Sequence, residues 1–267
     1  MIRKPAVSGQ FYPGSKEGLR RMISEMILLD KKKKKAIASI SPHAGYIYSG
    51  NVAGAVYSSI ELPDNFIILG PNHTGIGSPL ALFKEGKWET PLGNVTVNEQ
   101  LANLILEKCS FIEEDPSAHK YEHSIEVQIP FLQYFISSPK IVPICVSHLS
   151  YPQLEKTGIE LAHAIKEFGE EVLLIASTDF SHYVDQKTAE EKDSMAINKI
   201  LELNPEGLFK TVMEERISMC GVMPTTIVLK TALELGAKNA DLIKYATSGD
   251  VSGDYSQVVG YGGVIIF

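Results

Sequence analysis

Ser41-Pro42-His43-Ala44-Gly45-Tyr46-Ile47-Tyr48-Ser49-Gly50 joins two segments of different periodicity. Ahead of it, Ala36 to Ile40 is a short apolar run, which predicts a buried strand. Behind it, Asn51 to Ile60 carries small and apolar residues at helical spacing. The stretch is therefore a strand-to-helix crossover. Pro42 biases Ser41 towards an extended backbone and ends the strand. Gly45 and Gly50 allow a tight turn or a close approach of the backbone. In open α/β sheets ligands bind outside the carboxyl ends of the strands, and His43 sits at such an end. A single loop histidine is more often a polar surface group than a ligand. Two similar strand ends further along shift that balance.

Phe66 to Leu69 is a second apolar run, ending in Gly70-Pro71-Asn72-His73-Thr74-Gly75. Val172 to Ala176 is a third, ending in Ser177-Thr178-Asp179-Phe180-Ser181-His182. Between them, strand and helix patterns alternate. Helices are expected over Lys16 to Leu29, Asn98 to Lys108 with Asn98 as cap, Ser117 to Phe135 with a bend at Pro130, and Tyr151 to Phe168. Further helices follow over Asp185 to Leu203, Glu206 to Glu215 and Met223 to Leu235. Pro79 to Val97 reads as hairpin-like extended segments, and Ile141 to Val146, Leu242 to Ser248 and Val258 to Phe267 as strands. Gly249 to Gln257 reads as a polar loop. Nothing in the pattern resembles a linker. The expectation is one α/β domain over residues 1–267, with a mainly parallel central sheet and helices on both faces.

Composition narrows the function. A chain of 267 residues with 44% hydrophobic residues can bury a substantial core. Its net charge of -7 disfavours nucleic acid as a partner. No apolar run is long enough to span a bilayer, so no membrane role is expected. The opening Met1-Ile2-Arg3-Lys4-Pro5 lacks the apolar centre of a secretory leader. Cys109, Cys145 and Cys220 are scattered and form no CxxC, which suits a reducing cytoplasm. The charge run Lys31 to Lys35 is expected as a solvated turn.

Parallel strands present their ends along one sheet edge, so His43, His73, Asp179 and His182 are candidates for one site. Imidazole, carboxylate and thiolate all bind borderline divalent metals. Cys220 precedes a predicted helix, where the dipole favours a thiolate. Cys109 and Cys145 are expected as buried packing residues. His119 and His163 read as surface or packing groups, and His148 is ambiguous. Glu122 and Glu126 read as first-turn carboxylates of a helix.

Several of these segments together resemble one family. Arg3-Lys4-Pro5-Ala6-Val7-Ser8-Gly9-Gln10-Phe11-Tyr12-Pro13, Ser41-Pro42-His43-Ala44-Gly45-Tyr46, Gly70-Pro71-Asn72-His73, Glu122-His123-Ser124-Ile125-Glu126, Ser177-Thr178-Asp179-Phe180-Ser181-His182 and Cys220-Gly221 are similar to the motifs of the Memo family. Its prokaryotic members are also called AmmeMemoRadiSam system protein B. The family is similar in fold to the class III extradiol dioxygenases, which are non-haem iron enzymes. The resemblance implies metal positions at His43, His73 and Cys220, with Fe(II) first and Cu(I) or Zn as further candidates. It also implies that Asp179, His182 and His123 line the pocket, His182 or His123 serving as acid/base. The dioxygenases have a carboxylate where this pattern has the cysteine. The leading expectation is thus a metal-binding or redox protein without ring-cleaving activity. Two alternatives stand beside it: a dioxygenase-like oxidoreductase on a small aromatic substrate, and a peptide- or protein-binding module using the same cleft. Implied partners are a small molecule or peptide in the pocket and other proteins of the AmmeMemoRadiSam system.

Overall fold

The strand runs that carry no polar residue dictate a sheet covered on both faces. Phe66, Ile67, Ile68 and Leu69 are all fully buried, as are Leu173, Leu174, Ile175 and Ala176. The computed structural model describes residues 1–28 and 32–267. Leu29 and Lys31, which begin or end segments expected from the sequence, lie outside them. Five parallel strands form the centre, in the order Gly93–Val97, Lys140–Val146, Asn65–Pro71, Val172–Ser177, Ala38–Ser41. Antiparallel strands extend both sides. Lys87–Thr90 pairs Gly93–Val97 in the expected hairpin, while Val258–Ile266 pairs both Ala38–Ser41 and Ala240–Thr247.

Register matters more than strand count. Ala176 stands beside both Ile40 and Leu69. The chain therefore leaves three adjacent strands at nearly one level, three residues before His43, three before Asp179 and four before His73. Two helical layers cover the sheet. Tyr46–Ser58 packs with Lys16–Met26 and Ile129–Phe135 on one face, and Glu99–Lys108, Tyr151–Phe168, Pro205–Glu214 and Val222–Glu234 form the other layer. Asn98 caps its helix as expected, Oδ1 accepting from the Leu101 N–H at 3.1 Å. Among the described residues no helix is long and apolar enough to cross a membrane.

Three expectations need correction. The helix after His43 begins at Tyr46, five residues earlier than its apolar spacing suggests. Gly249–Ser252 is a short helix within the expected loop. Most consequentially, Ser117 to Phe135 is not one helix. It is a 3₁₀ turn at Pro116–His119, a second at Glu126–Gln128 and an α-helix over Ile129–Phe135. Pro130 lies in the first turn of that last helix, where its missing N–H costs nothing. The segment between the two 3₁₀ turns is loop, and it holds Glu122 and His123.

Of the two readings of His119, surface or packing, the structure has the second: it is fully buried in the core. Its Nε2 donates to the Ala81 carbonyl at 3.0 Å, and its ring lies edge-on to Phe83 and Trp88. Burial pushes its pKa down to about 4. The unfolded chain takes up this proton near pH ~6.5. Stability is therefore lost as pH falls from about 6.5 to about 4, by roughly 3 kcal/mol in all. Urea unfolding at pH 6.5 and pH 4.5 is expected to give a smaller stability loss in His119→Gln than in the natural chain. An equal loss would mean that the proton is taken up elsewhere.

Candidate metal centre

His43, His73 and His123 each offer one ring nitrogen, and the three nitrogens lie within 4.8 Å of one another. His43 comes from the loop after Ala38–Ser41 and His73 from the loop after Asn65–Pro71. His123 comes from the segment where a helix was expected. Ring centroids are 5.1 Å apart for His43 and His73, 5.5 Å for His43 and His123, and 4.7 Å for His73 and His123. The group grades outwards: His43 is buried, His123 half-buried and His73 exposed.

The His43 and His73 rings are oriented through Nδ1. His73 Nδ1 lies 2.9 Å from Glu122 Oε1, and His123 Nδ1 lies 3.5 Å from the same oxygen. His43 Nδ1 lies 3.0 Å from Ser177 Oγ. That hydroxyl donates its one proton to the Ser124 carbonyl at 2.6 Å, and it accepts from Gln128 Nε2 at 2.8 Å. It is left only to accept from His43, so the network assigns the proton to Nδ1 and a lone pair to Nε2. Tyr57 in turn holds Gln128, Oη donating to Oε1 at 2.7 Å. Burial, then the neighbouring His73 and His123 imidazoles, drive the His43 pKa well below its usual value. Burial likewise lowers His123. Burial pulls His73 down as well, but its hydrogen bond and charge interaction with Glu122 outweigh this and raise it.

Glu122 is the organiser of this group. Its carboxylate accepts from the backbone N–H of His73 at 2.5 Å, of His123 at 2.9 Å and of Ser124 at 2.8 Å, besides His73 Nδ1. Burial opposes its ionisation, yet His73 and these N–H groups hold its pKa down at about 2. Gly70 makes the arrangement possible. A Cβ there would lie 2.4 Å from Ser124 Oγ, so only glycine lets the loop rest on the strand end.

Cys220 adjoins the three imidazoles without being a member of their group. Its Sγ lies 3.3 Å from His43 Nε2 and accepts from the Asp179 N–H at 3.3 Å. Gly221 allows this approach, since a Cβ there would lie 2.4 Å from Thr178 Cβ. The expected thiolate does not follow from the helix start. Burial and the charge of Asp179 push the thiol pKa up instead. The residue is only half-buried, but its sulfur is enclosed by His43, Thr178 and Asp179. Cys109 and Cys145 are buried packing residues, as expected.

Asp179 and His182 complete the surroundings. Asp179 Oδ1 accepts from the His43 N–H at 2.8 Å, and burial raises its pKa to about 6. His182 Nδ1 lies 2.8 Å from the Ser218 carbonyl and so donates to it, leaving Nε2 as the basic nitrogen. His43, His73, His123, Cys220 and Asp179 thus lie close together. His123, expected in the wall, joins His43 and His73, while Cys220 stands against His43 alone. Glu122, Ser177 and Gln128 were not anticipated in orienting roles. The adjacency Glu122-His123 was their one visible signal.

A family model described as "Memo-like protein" matches residues 3–265. The chain belongs to the Memo family. Relatives named MEMO1 family protein include one from Pyrobaculum arsenaticum, 44% identical over 276 residues, covering 99% of this chain and 98% of the relative. Another, from Methanococcoides burtonii, is 43% identical and covers 99% of this chain and 100% of its own. A third, from Aquifex aeolicus, is 42% identical over 99% of this chain and 98% of its own. The fold is also similar to the crystal structure of an uncharacterized protein from Escherichia coli K12. That match has a TM-score of 0.57 at 13% identity and covers 86% of this chain and 100% of the other. At that identity the likeness concerns the fold alone. In this Memo-family chain the motif residues of five separate segments meet around three imidazoles.

Proposed function

We propose that this Memo-family chain is a mononuclear metal-binding protein of redox type, without ring-cleaving activity. His43, His73 and His123 are its ligands. One observation carries the reading: three neighbouring imidazoles, two of which, His43 and His73, have Nδ1 held by a protein oxygen and so leave Nε2 for an ion. Metal-bound histidines usually have their other nitrogen held in this way. Imidazoles suit Fe, Cu and Zn alike. Fe(II) ranks first on the resemblance to the dioxygenases, with Cu(I) and Zn next.

The absence of ring cleavage rests on Glu122. Ring-cleaving and related oxygenases use two histidines and one carboxylate. Here the Glu122 carboxylate is occupied by four N–H donors, so it is committed to the protein rather than to an ion, and the second carboxylate at the site, Asp179, accepts from the His43 N–H. A bound ion would supply Lewis acidity and electron transfer at the pocket. The protein's own part is to keep His43 neutral, to hold a proton on or off Asp179, and to offer His182 Nε2 as a base. That last pair supports a second reading, an oxidoreductase acting on a small molecule.

Anaerobic Fe(II), Cu(I) and Zn titrations of the natural chain, His123→Ala and Cys220→Ser test the ligand set. His123→Ala is expected to lose high-affinity binding. Cys220→Ser is expected to keep most of it. The reverse outcome would restore the His43, His73, Cys220 set implied by the resemblance. Oxygen uptake with catechols and Fe(II) separates the two functional readings, and ring-cleaved product from the natural chain would overturn the first.

A further inference from the structure

A cavity of about 470 Å³ borders Cys220. One wall is Pro71 and Asn72, which lead into His73, together with Val146 to His148. The other wall runs from Val212 to Met223. Met213, which is exposed, and the largely buried Met219 and Met223 share the apolar lining with Val146, Val212, Ile217 and Val222. Methionines adapt their shape to apolar groups of varied outline. The lining contains Arg216 and His148 but no Asp or Glu, although the chain as a whole carries a net charge of -7. Glu214 and Glu215 precede Arg216 in the chain without lining the cavity. Lys192 Nζ donates to the carbonyls of Glu215 and Arg216, at 2.9 and 3.3 Å, and so pins this backbone.

Arg216 occupies an unusual place for its type. It follows the helix Pro205–Glu214 with φ of +51°, the left-handed position after a helix end. The Ile217 N–H closes the turn on the Val212 carbonyl at 2.9 Å. Glycine takes this position without strain. An arginine there is held at a cost in backbone energy; it is exposed and is one of the residues that line the cavity.

We propose that this cavity binds a small molecule with an apolar body and a carboxylate head. The head is received by Arg216, whose planar fork matches a carboxylate in two-point contact. The body lies against the shared Met, Val and Ile lining. Since the cavity is lined by Cys220, whose Sγ lies 3.3 Å from His43 Nε2, a molecule bound there abuts the histidine group. The proposal needs no bound ion, so it stands or falls separately from the metal reading.

The test uses the full-length chain as purified and after chelation, with 3-phenylpropionate and 3-phenylpropionamide as probes, by calorimetry or ligand-observed NMR. The acid is expected to bind about 10-fold more tightly than the amide, in both preparations. Arg216→Gln should bring the acid down to the affinity of the amide. Arg216→Gly should do the same while holding or raising Tm, because it relieves the left-handed backbone. That result would separate ligand recognition from a structural role. Equal binding of acid and amide, binding of neither at millimolar concentration, or an acid preference that survives Arg216→Gln would each overturn the proposal. So would a preference that vanishes on chelation, which would put the carboxylate on the ion.

Discussion

Metal affinity is expected to fall by about 10- to 100-fold in Glu122→Gln, and further still in His73→Ala. The carboxylate touches no ion in either functional reading. Its effect passes through His73, whose Nδ1 proton it receives at 2.9 Å, and through the loop that carries His123. Glutamine keeps the shape but removes the charge that makes His73 a better donor. It also turns an amide N–H towards groups that are themselves donors. Removing the ligand must cost at least as much as loosening it, so His73→Ala sets the floor of the series. Anaerobic competition against a chelator of known affinity measures both. Natural affinity in Glu122→Gln would mean that the imidazoles are positioned by their backbones alone.

Glu126→Leu is expected to lower the unfolding free energy by about 3–5 kcal/mol. Glu126 is fully buried and paired with the guanidinium of Arg3. It also accepts from the Ala6 N–H at 2.7 Å, the Val7 N–H at 3.1 Å and Tyr12 Oη at 2.6 Å. Arg3 is equally committed, donating to the His119 carbonyl at 3.0 Å and the Glu122 carbonyl at 2.5 Å, with its guanidinium 4.4 Å over the Trp88 ring. Leucine would strand a buried cation and two backbone donors. Lys4 and Glu89 make the contrast, with side chains 70% and 37% accessible. Breaking that pair should change stability by less than about 1 kcal/mol. Urea unfolding of Glu126→Leu and Glu89→Ala compares them directly, and similar small losses would show that the buried pair merely offsets its own desolvation.

How much of this was legible in the sequence depends on how local its causes are. The strand ends at His43, His73 and Asp179 could be read because buried strands need unbroken apolar runs, and Pro and Gly punctuate them. Their lateral order could not, but it follows once the three strands lie side by side. His123 was placed in a helix because Ile125, Ile129, Leu132 and Phe135 recur at helical spacing. What breaks that helix is side-chain chemistry with distant partners. Glu122 takes the backbone N–H groups of His123 and Ser124, while Glu126 turns to residues more than a hundred positions earlier. Periodicity carries no trace of such partners. Cys220 was correctly set before a helix, yet its charge state was not, because burial and Asp179 outweigh a helix dipole. Arg216 gave no signal at all, lying in a polar helix end.

The clasp between Arg3 and Glu126 also fixes an order of events during synthesis. Arg3, Ala6, Val7 and Tyr12 leave the ribosome well before their partner, which follows 114 to 123 positions later. At ~5–20 residues per second that is a wait of roughly 6–25 s. For that time the Ala6 and Val7 N–H groups and the Arg3 guanidinium lack their carboxylate, although Ile2–Arg3 can already pair with Lys87–Thr90 and the Phe11 carbonyl can accept from the Tyr46 N–H. Closing so long a loop is an entropic cost met late, after nearer contacts have formed. The Glu126 carboxylate is thus the last of these partners to reach the residues from Arg3 to Tyr12, and the loop bearing Glu122 and His123 gains its Arg3 anchor at the same moment.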